Sequence, residues 1–244
     1  ATEVLIEGLS KLEYTKSLNL GFYRGDKDII VCTGLNFADS LSASATGKPI
    51  LLVWNESGAL YGKQPEFLSN LKNCTFTVIG GESAVSAKLF DAIKAYGTTT
   101  RLAGANRFET SVLVAQKYFA SPETAVLAYA WNYPDGLCGG SLAFSLKAPL
   151  ILTMTKYEAK AVEYAKNAGI EIGLVLGGDT LISDDAVLNI FQEQRVGKAA
   201  VTEQNGLFKI DTACFFNRRF VFKFVGNGDK VNGFSVVENP LHCA

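Results

Sequence analysis

Residues 34–42 read GLNFADSLS, and residues 130–138 read AWNYPDGLC. The two strings share one offset: Asn36 and Asn132, Asp39 and Asp135, and Leu41 and Leu137 are each 96 residues apart. Further along, Lys48-Pro49-Ile50-Leu51-Leu52 is answered by Ala148-Pro149-Leu150-Ile151-Leu152. Val78-Ile79-Gly80-Gly81 is answered by Val175-Leu176-Gly177-Gly178, each pair of glycines followed by an acid (Glu82, Asp179) and then a serine (Ser86, Ser183). Landmarks repeated in one order at nearly one spacing mean two copies of a single folding unit. A duplicated unit without a catalytic side-chain set points to a binding array rather than an enzyme.

Around these landmarks the pattern alternates between strand and helix. Repeat one reads as a buried strand at 29–33, a helix of small residues from Asp39 to Thr46, and a strand at 49–53 entered by a proline. A helix at 65–72, a strand at 75–79, a Gly-Gly turn and a helix over 83–96 come next. Repeat two opens with a helix over 107–119. It continues with strands at 125–129, 149–153 and 172–176, and helices at 156–168 and 184–194. Short continuous apolar strands between helices indicate parallel sheets covered on both faces. The expected fold class is α/β: tandem small three-layer units with parallel sheets, repeat one over 1–98 and repeat two over 99–196. Residues 197–244 break the pattern. They are rich in aromatic residues (Phe215, Phe216, Phe220, Phe222, Phe224), and Asn227-Gly228 and Asn232-Gly233 read as turns of a small β-rich tail.

Composition narrows the chemistry. Hydrophobic residues make up 48% of the 244, enough for a real core, and a charged fraction of 19% leaves apolar surface for neighbours. A net charge of −1 argues against a dedicated nucleic-acid binder. No apolar run approaches the roughly 18–20 residues needed to span a bilayer. The sequence starts Ala1-Thr2-Glu3 with no signal-peptide pattern, a start that says little about compartment. The single histidine, His242, lies three residues from the end, which disfavours histidine triads and the usual zinc hydrolases. The five cysteines, at 32, 74, 138, 214 and 243, form no Cys-x-x-Cys and no evident disulfide framework; Cys32 reads as a small core residue. No P-loop, G-x-G-x-x-G or metal cluster is present, so no cofactor is expected.

Three groups of residues remain as binding candidates. The pairs Gly80-Gly81 and Gly177-Gly178 come after strands, let the backbone approach a ligand and open helices whose free N–H groups attract anions. Glu82 and Asp179 oppose an anion there, and would instead cap the next helices together with Ser83 and Thr180. Arg101 and Arg107 are the cationic candidates, because a guanidinium grips phosphate or carboxylate with two parallel bonds; the plain alternative for both is a structural salt bridge, for instance to Asp135. The offset places Lys11 opposite Arg107, so the first copy is worn. Asn36, Asp39, Asn132 and Asp135 fall at strand-to-helix junctions, where capping is the expected role.

The string RLAGANRFETS at 101–111, the later Asn132-Tyr133-x-Asp135-Gly136-Leu137, Ala148-Pro149-Leu150-Ile151-Leu152 and Val175-Leu176-Gly177-Gly178-Asp179-x-x-Ile182-Ser183 together resemble the cell-wall-binding repeat type 2 family of Gram-positive surface proteins. The resemblance covers about residues 4–194. It implies a secreted, cell-surface protein anchored non-covalently to an anionic cell-wall polymer, with repeats that usually come in threes. It also implies polymer binding at Pro49, Ile50, Leu51 and Leu52, and at Pro149, Leu150, Ile151 and Leu152. The residues themselves read differently: these runs look like buried strands supporting a binding edge. With two clear copies here, an unpaired apolar face is expected to find the aromatic tail, a neighbouring domain or a second copy. Two other functions stay open: an α/β enzyme acting on a phosphorylated or nucleotide ligand at the Gly-Gly loops, and a structural surface-layer tile.

Overall fold

The computed structural model describes residues 27–55, 58–156 and 159–191, and the backbone of four later strands between 201 and 236. Lys11, His242, Phe215 and Phe216 lie outside the described residues. In chain order the first half holds β1 (Asp28–Thr33), α1 (Ala38–Ser44), β2 (Ile50–Val53), α2 (Gln64–Ser69), β3 (Thr75–Ile79) and α3 (Ala87–Lys94). Then come β4 (Thr98–Leu102), α4 (Arg107–Tyr118), β5 (Thr124–Tyr129), α5 (Pro134–Ser145), β6 (Leu150–Thr153), α6 (Ala159–Ala168), β7 (Ile172–Leu176) and α7 (Asp184–Ile190). The tail forms β8 (Val201–Gln204), β9 (Leu207–Ile210), β10 (Phe220–Asn227) and β11 (Lys230–Val236).

The described strands form three sheets: β8 and β9 pair antiparallel by themselves, and the two larger sheets share one plan. The first has the order β2-β1-β3-β4, all neighbours parallel. The second has the order β11-β10-β7-β5-β6, in which β6-β5-β7 repeats β2-β1-β3. Strand β4 departs from the expected pattern. It stands at the head of repeat two, yet it pairs with β3 of repeat one, Val78 opposite Arg101. The tail strand β10 takes the matching place beside β7, parallel, with Phe222 opposite Leu174. Each sheet is thus completed by a strand from the next segment of the chain. Asn227 ends β10 at a hairpin, as expected, but Asn232-Gly233 is not a turn. It lies inside β11, where Gly233 pairs with Val225 and Val231 with Gly226, leaving Asn232 as the extra residue of a bulge.

Strand alternation sorts the apolar side chains into layers. Ile29 and Val31 face α2 and α3, in a cluster with Phe67, Phe76, Leu89 and Ile93. Ile30 and Cys32 face the other way, against Ala43 of α1 and Val114 of α4, so a helix of repeat two covers the sheet of repeat one. Cys32 is fully buried and occupies the core, as expected. Helix α1 in turn packs on repeat two: Ala38, Leu41 and Ala45 join Val126, Ala128, Ala143 and Leu150 in one cluster. This double coverage explains why α1 is written Ala-Asp-Ser-Leu-Ser-Ala-Ser, since bulkier residues would force the two units apart. Close approach is also written into α5. A Cβ on Gly136 would come within 2.6 Å of Leu41 Cδ2, and one on Gly140 would collide with Ser44.

A side chain takes one backbone group of each of the outer strands β2 and β6. The buried Gln64 donates from Nε2 to the Leu52 carbonyl at 2.6 Å, and the Leu152 N–H donates to Ser111 Oγ at 3.1 Å. An edge strand so occupied has less to offer a stray strand.

Candidate functional site

In the first sheet the chain leaves β1 toward β2 on one side and β3 toward β4 on the other. Such a switch point opens a crevice at the carboxyl ends of the strands, the usual place for a ligand in this architecture. A cavity of about 490 Å³ lies there. Its wall is built from both repeats: Thr33, Leu35, Asn36 and Asp39 from the end of β1 and the start of α1, Gly80, Gly81 and Ser83 from the turn after β3, and Gly104, Asn106, Arg107 and Thr110 from the opening of α4.

Each wall is locally braced. Asn36 Oδ1 accepts the Ala38 N–H at 3.1 Å, which fixes the entry to α1 and sets Asp39 in its first turn. Gly80 adopts φ +106° directly against the Asp39 carboxylate, and a Cβ there would collide with Oδ2. Gly81 has open space around it, and among the described residues the N–H groups of Gly81, Glu82 and Ser83 have no partner. Arg101 clamps this turn from behind, donating from Nη1 to the Gly80 carbonyl at 2.7 Å and from Nη2 to that of Val85 at 2.8 Å. Its guanidinium is therefore engaged with backbone and stacked 5.0 Å from the Phe90 ring.

The helix after Gly80-Gly81 starts later than expected, at Ala87, while the one after Gly177-Gly178 starts at Asp184, as expected; both caps lie beyond the expected Ser83 and Thr180. Ser86 and Ser183 are the N-caps, accepting from Leu89 N at 3.3 Å and Ala186 N at 3.2 Å; Ser83 and Thr180 sit in the preceding turns. Those turns run on for several residues because Asn55 accepts the Ser86 N–H and donates to the Ser83 carbonyl, while Ser183 Oγ donates to the Thr155 carbonyl.

The α4 opening is a capping network. Asn106 Oδ1 accepts the Glu109 N–H at 2.9 Å, Glu109 Oε2 accepts the Ala105 N–H at 3.0 Å, and Thr110 Oγ1 accepts the Gly104 N–H at 3.0 Å. The N–H groups of Arg107 and Phe108, at the first two helical positions, have no intrahelical acceptor by construction. Arg107 donates from Nη1 to the Ala130 carbonyl at 2.7 Å and lies 4.3 Å from the Trp131 ring. Among the described residues it forms no ion pair with Asp135, so the salt-bridge alternative is not how it is held.

Burial pushes the Asp39 carboxyl up from its ordinary value to about 6, and the positive charge of Arg107 only partly offsets this. Burial likewise raises the Cys32 thiol, with the Asp39 charge adding to the effect. Burial lowers the Arg101 guanidinium, with Glu82 opposing.

Repeat two carries half of the same arrangement. Gly177 adopts φ +126°, with Asp135 Oδ2 3.3 Å from where its Cβ would stand, and a Cβ on Gly178 would only touch Thr180 Oγ1, at 3.9 Å. Asn132 Oδ1 accepts the Tyr133 N–H at 3.0 Å. Strand β10 runs into a hairpin, whereas β4 leads into the Gly104–Arg107 loop. The Pro-Ile-Leu-Leu runs lie elsewhere. Ile50 and Leu51, and Leu150, Ile151 and Leu152, are buried in the outer strands β2 and β6, and neither these nor Pro49, Leu52 and Pro149 line the cavity.

Among the described residues no cluster of His, Cys, Asp and Glu is arranged to hold a metal ion, and no helix is long and apolar enough to cross a membrane. The family model described as cell wall binding domain 2 (CWB2) matches residues 8–90 and 101–187, one match per repeat. The chain is 28% identical over 159 residues to the N-acetylmuramoyl-L-alanine amidase LytC of Bacillus subtilis (strain 168), a match covering 64% of this chain and 32% of that protein. It is 32% identical over 123 residues to the amidase enhancer of the same organism, covering 48% of this chain and 17% of that one. The chain thus spans about a third or less of these relatives. Cwp8 from Clostridium difficile superposes with a TM-score of 0.61 at 28% identity, over 74% of this chain and 31% of that one. Cwp6 from the same organism shares the fold, with a TM-score of 0.67 at 24% identity over 75% and 30% of the two chains. With both repeats matched over most of the sequence, the chain belongs to the cell wall binding domain 2 family.

Proposed function

We propose that this chain is a non-catalytic, surface-located anchoring module that holds an anionic secondary cell-wall polymer non-covalently, with the junction cavity as its site. The supporting observation is that the cavity is composed across the repeats. Repeat one lines it with Gly81 and Ser83, whose N–H groups have no partner among the described residues, and repeat two lines it with Arg107 at the opening of α4. Such donors suit phosphate or carboxylate groups strung along a chain. Arg101 acts by holding the glycine turn in shape. The Pro49–Leu52 and Pro149–Leu152 runs act as the strands that carry the site, and Lys11 is the counterpart of Arg107 at the opening of repeat one. Gly177 and Gly178 offer a second, less enclosed turn of the same kind.

The test is equilibrium binding of solubilised anionic wall polymer to the full chain at several salt concentrations. Binding should weaken with salt, since local cations are screened over roughly 8 Å at physiological ionic strength. Arg107→Ala should reduce both affinity and salt dependence. Unchanged binding by that variant would move the site away from the junction.

A further inference from the structure

Three of the large apolar side chains most exposed among the described residues lie in two equivalent loops. They are Leu35, 58% exposed, at the end of β1, and Trp131 and Tyr133, 54% and 46% exposed, at the end of β5. Leu35 and Trp131 are 96 positions apart, as are Phe37 and Tyr133. The loops meet in space, because the Phe37 and Tyr133 rings pack edge to face with centroids 5.7 Å apart.

Trp131 is held from several sides while remaining open. The Arg107 guanidinium covers one face at 4.3 Å, Phe108 packs edge-on at 6.0 Å, and the indole N–H points to Met154 Sδ at 3.3 Å. A ring with one face covered and more than half its surface exposed presents the opposite face and outer edge to solvent. An apolar surface fixed in this way is preorganised for contact.

We propose that Trp131 and Tyr133, with Leu35 of the preceding repeat, form a ledge on which a pyranose ring of the wall polymer stacks beside the junction cavity. This rests on the polymer-binding reading above and adds the saccharide part of the ligand. One face of a pyranose presents C–H groups polarised by neighbouring oxygens, which complements the negative face of an aromatic ring. The hydroxyls at its rim need hydrogen-bonding partners, and Asn132 and Asn36 flank the ledge in the two loops. A few side chains in two loops match one sugar ring, whereas a stable protein interface takes about 800 Å² per partner.

The probes are purified protein-free Gram-positive walls and the neutral polysaccharide released from them by hydrofluoric acid. Trp131→Ala should weaken sedimentation with walls about tenfold at every salt concentration, the scale of one aromatic contact. Its salt slope should stay that of the wild type, and Trp131→Phe should recover most of the loss. The neutral fraction should compete with walls for the wild-type chain. Tyr133→Ala should also weaken binding, which keeps the test alive if Trp131→Ala fails to fold. Full affinity in a folded Trp131→Ala chain would overturn the ledge. So would a flattened salt slope, because the indole would then act only by supporting Arg107. A wild-type chain that ignores walls altogether would remove the polymer reading itself.

Discussion

Asp39→Asn isolates the one carboxylate that the junction holds out of water. The folded chain raises its pKa from 3.8 to about 6, burial outweighing the nearby Arg107. A raised acid favours the folded state while protonated in both states. That contribution is fully present below the unfolded value and is lost as pH rises through the folded value. The shift is roughly two units at about 1.4 kcal/mol each, so ionising Asp39 destabilises the fold by about 3 kcal/mol between pH 4 and neutrality. Asparagine keeps the shape without the charge. At pH 4 or below, Asp39→Asn and the parent should melt together. At pH 7.5 the variant should be more stable by up to about 3 kcal/mol, or roughly 6–12 °C in Tm for a chain of this size. Thermal melts of both proteins across this range provide the assay. A variant less stable than the parent at pH 7.5 would mean that attraction to Arg107 outweighs burial. An offset independent of pH would mean that Asp39 titrates normally.

The same substitution removes a negative charge from the proposed anion site, so Asp39→Asn should bind wall polymer more tightly at pH 7.5, and lowering pH through 6 should strengthen binding by the parent; equilibrium binding measures both. Gly80→Ala should cost about 1–3 kcal/mol, since it forces alanine into positive φ against Asp39, while Gly81→Ala, with open space around it, should cost far less; urea titrations of the pair report the difference. Leu41→Ala should destabilise by about 2–5 kcal/mol, because that side chain fills the seam between α1 and α5 beside Gly136. Gly140→Ala should destabilise by about 1–3 kcal/mol, because its new methyl meets Ser44 across the seam, and chemical unfolding measures both changes.

The duplication is legible because it is written in residues with little latitude. The first glycine of each pair needs positive φ and room for an aspartate, and each aspartate sits at the same distance from its glycine in sequence to within one residue. Strands 75–79 and 172–176 are legible to the residue, since a turn glycine ends each run. Strand β4 is not, because Thr-Thr-Thr-Arg-Leu is neither continuously apolar nor alternating; it becomes a strand through its partner β3. The helix caps lie three residues later than their local signals suggest, because Ser83 and Thr180 resemble caps and only the bonds of Asn55 and Thr155 show how long the turns are. The composite nature of the cavity has no sequence signal, since it depends on how α1 of one repeat seats against α5 of the next.

Sedimentation of the full chain with purified Gram-positive walls, before and after their anionic polymers are stripped, tests the central claim most directly. The chain should pellet with intact walls, come off as salt rises, and stay in solution with stripped walls. Equal pelleting with intact and stripped walls would contradict polymer anchoring and place the binding on the peptidoglycan itself.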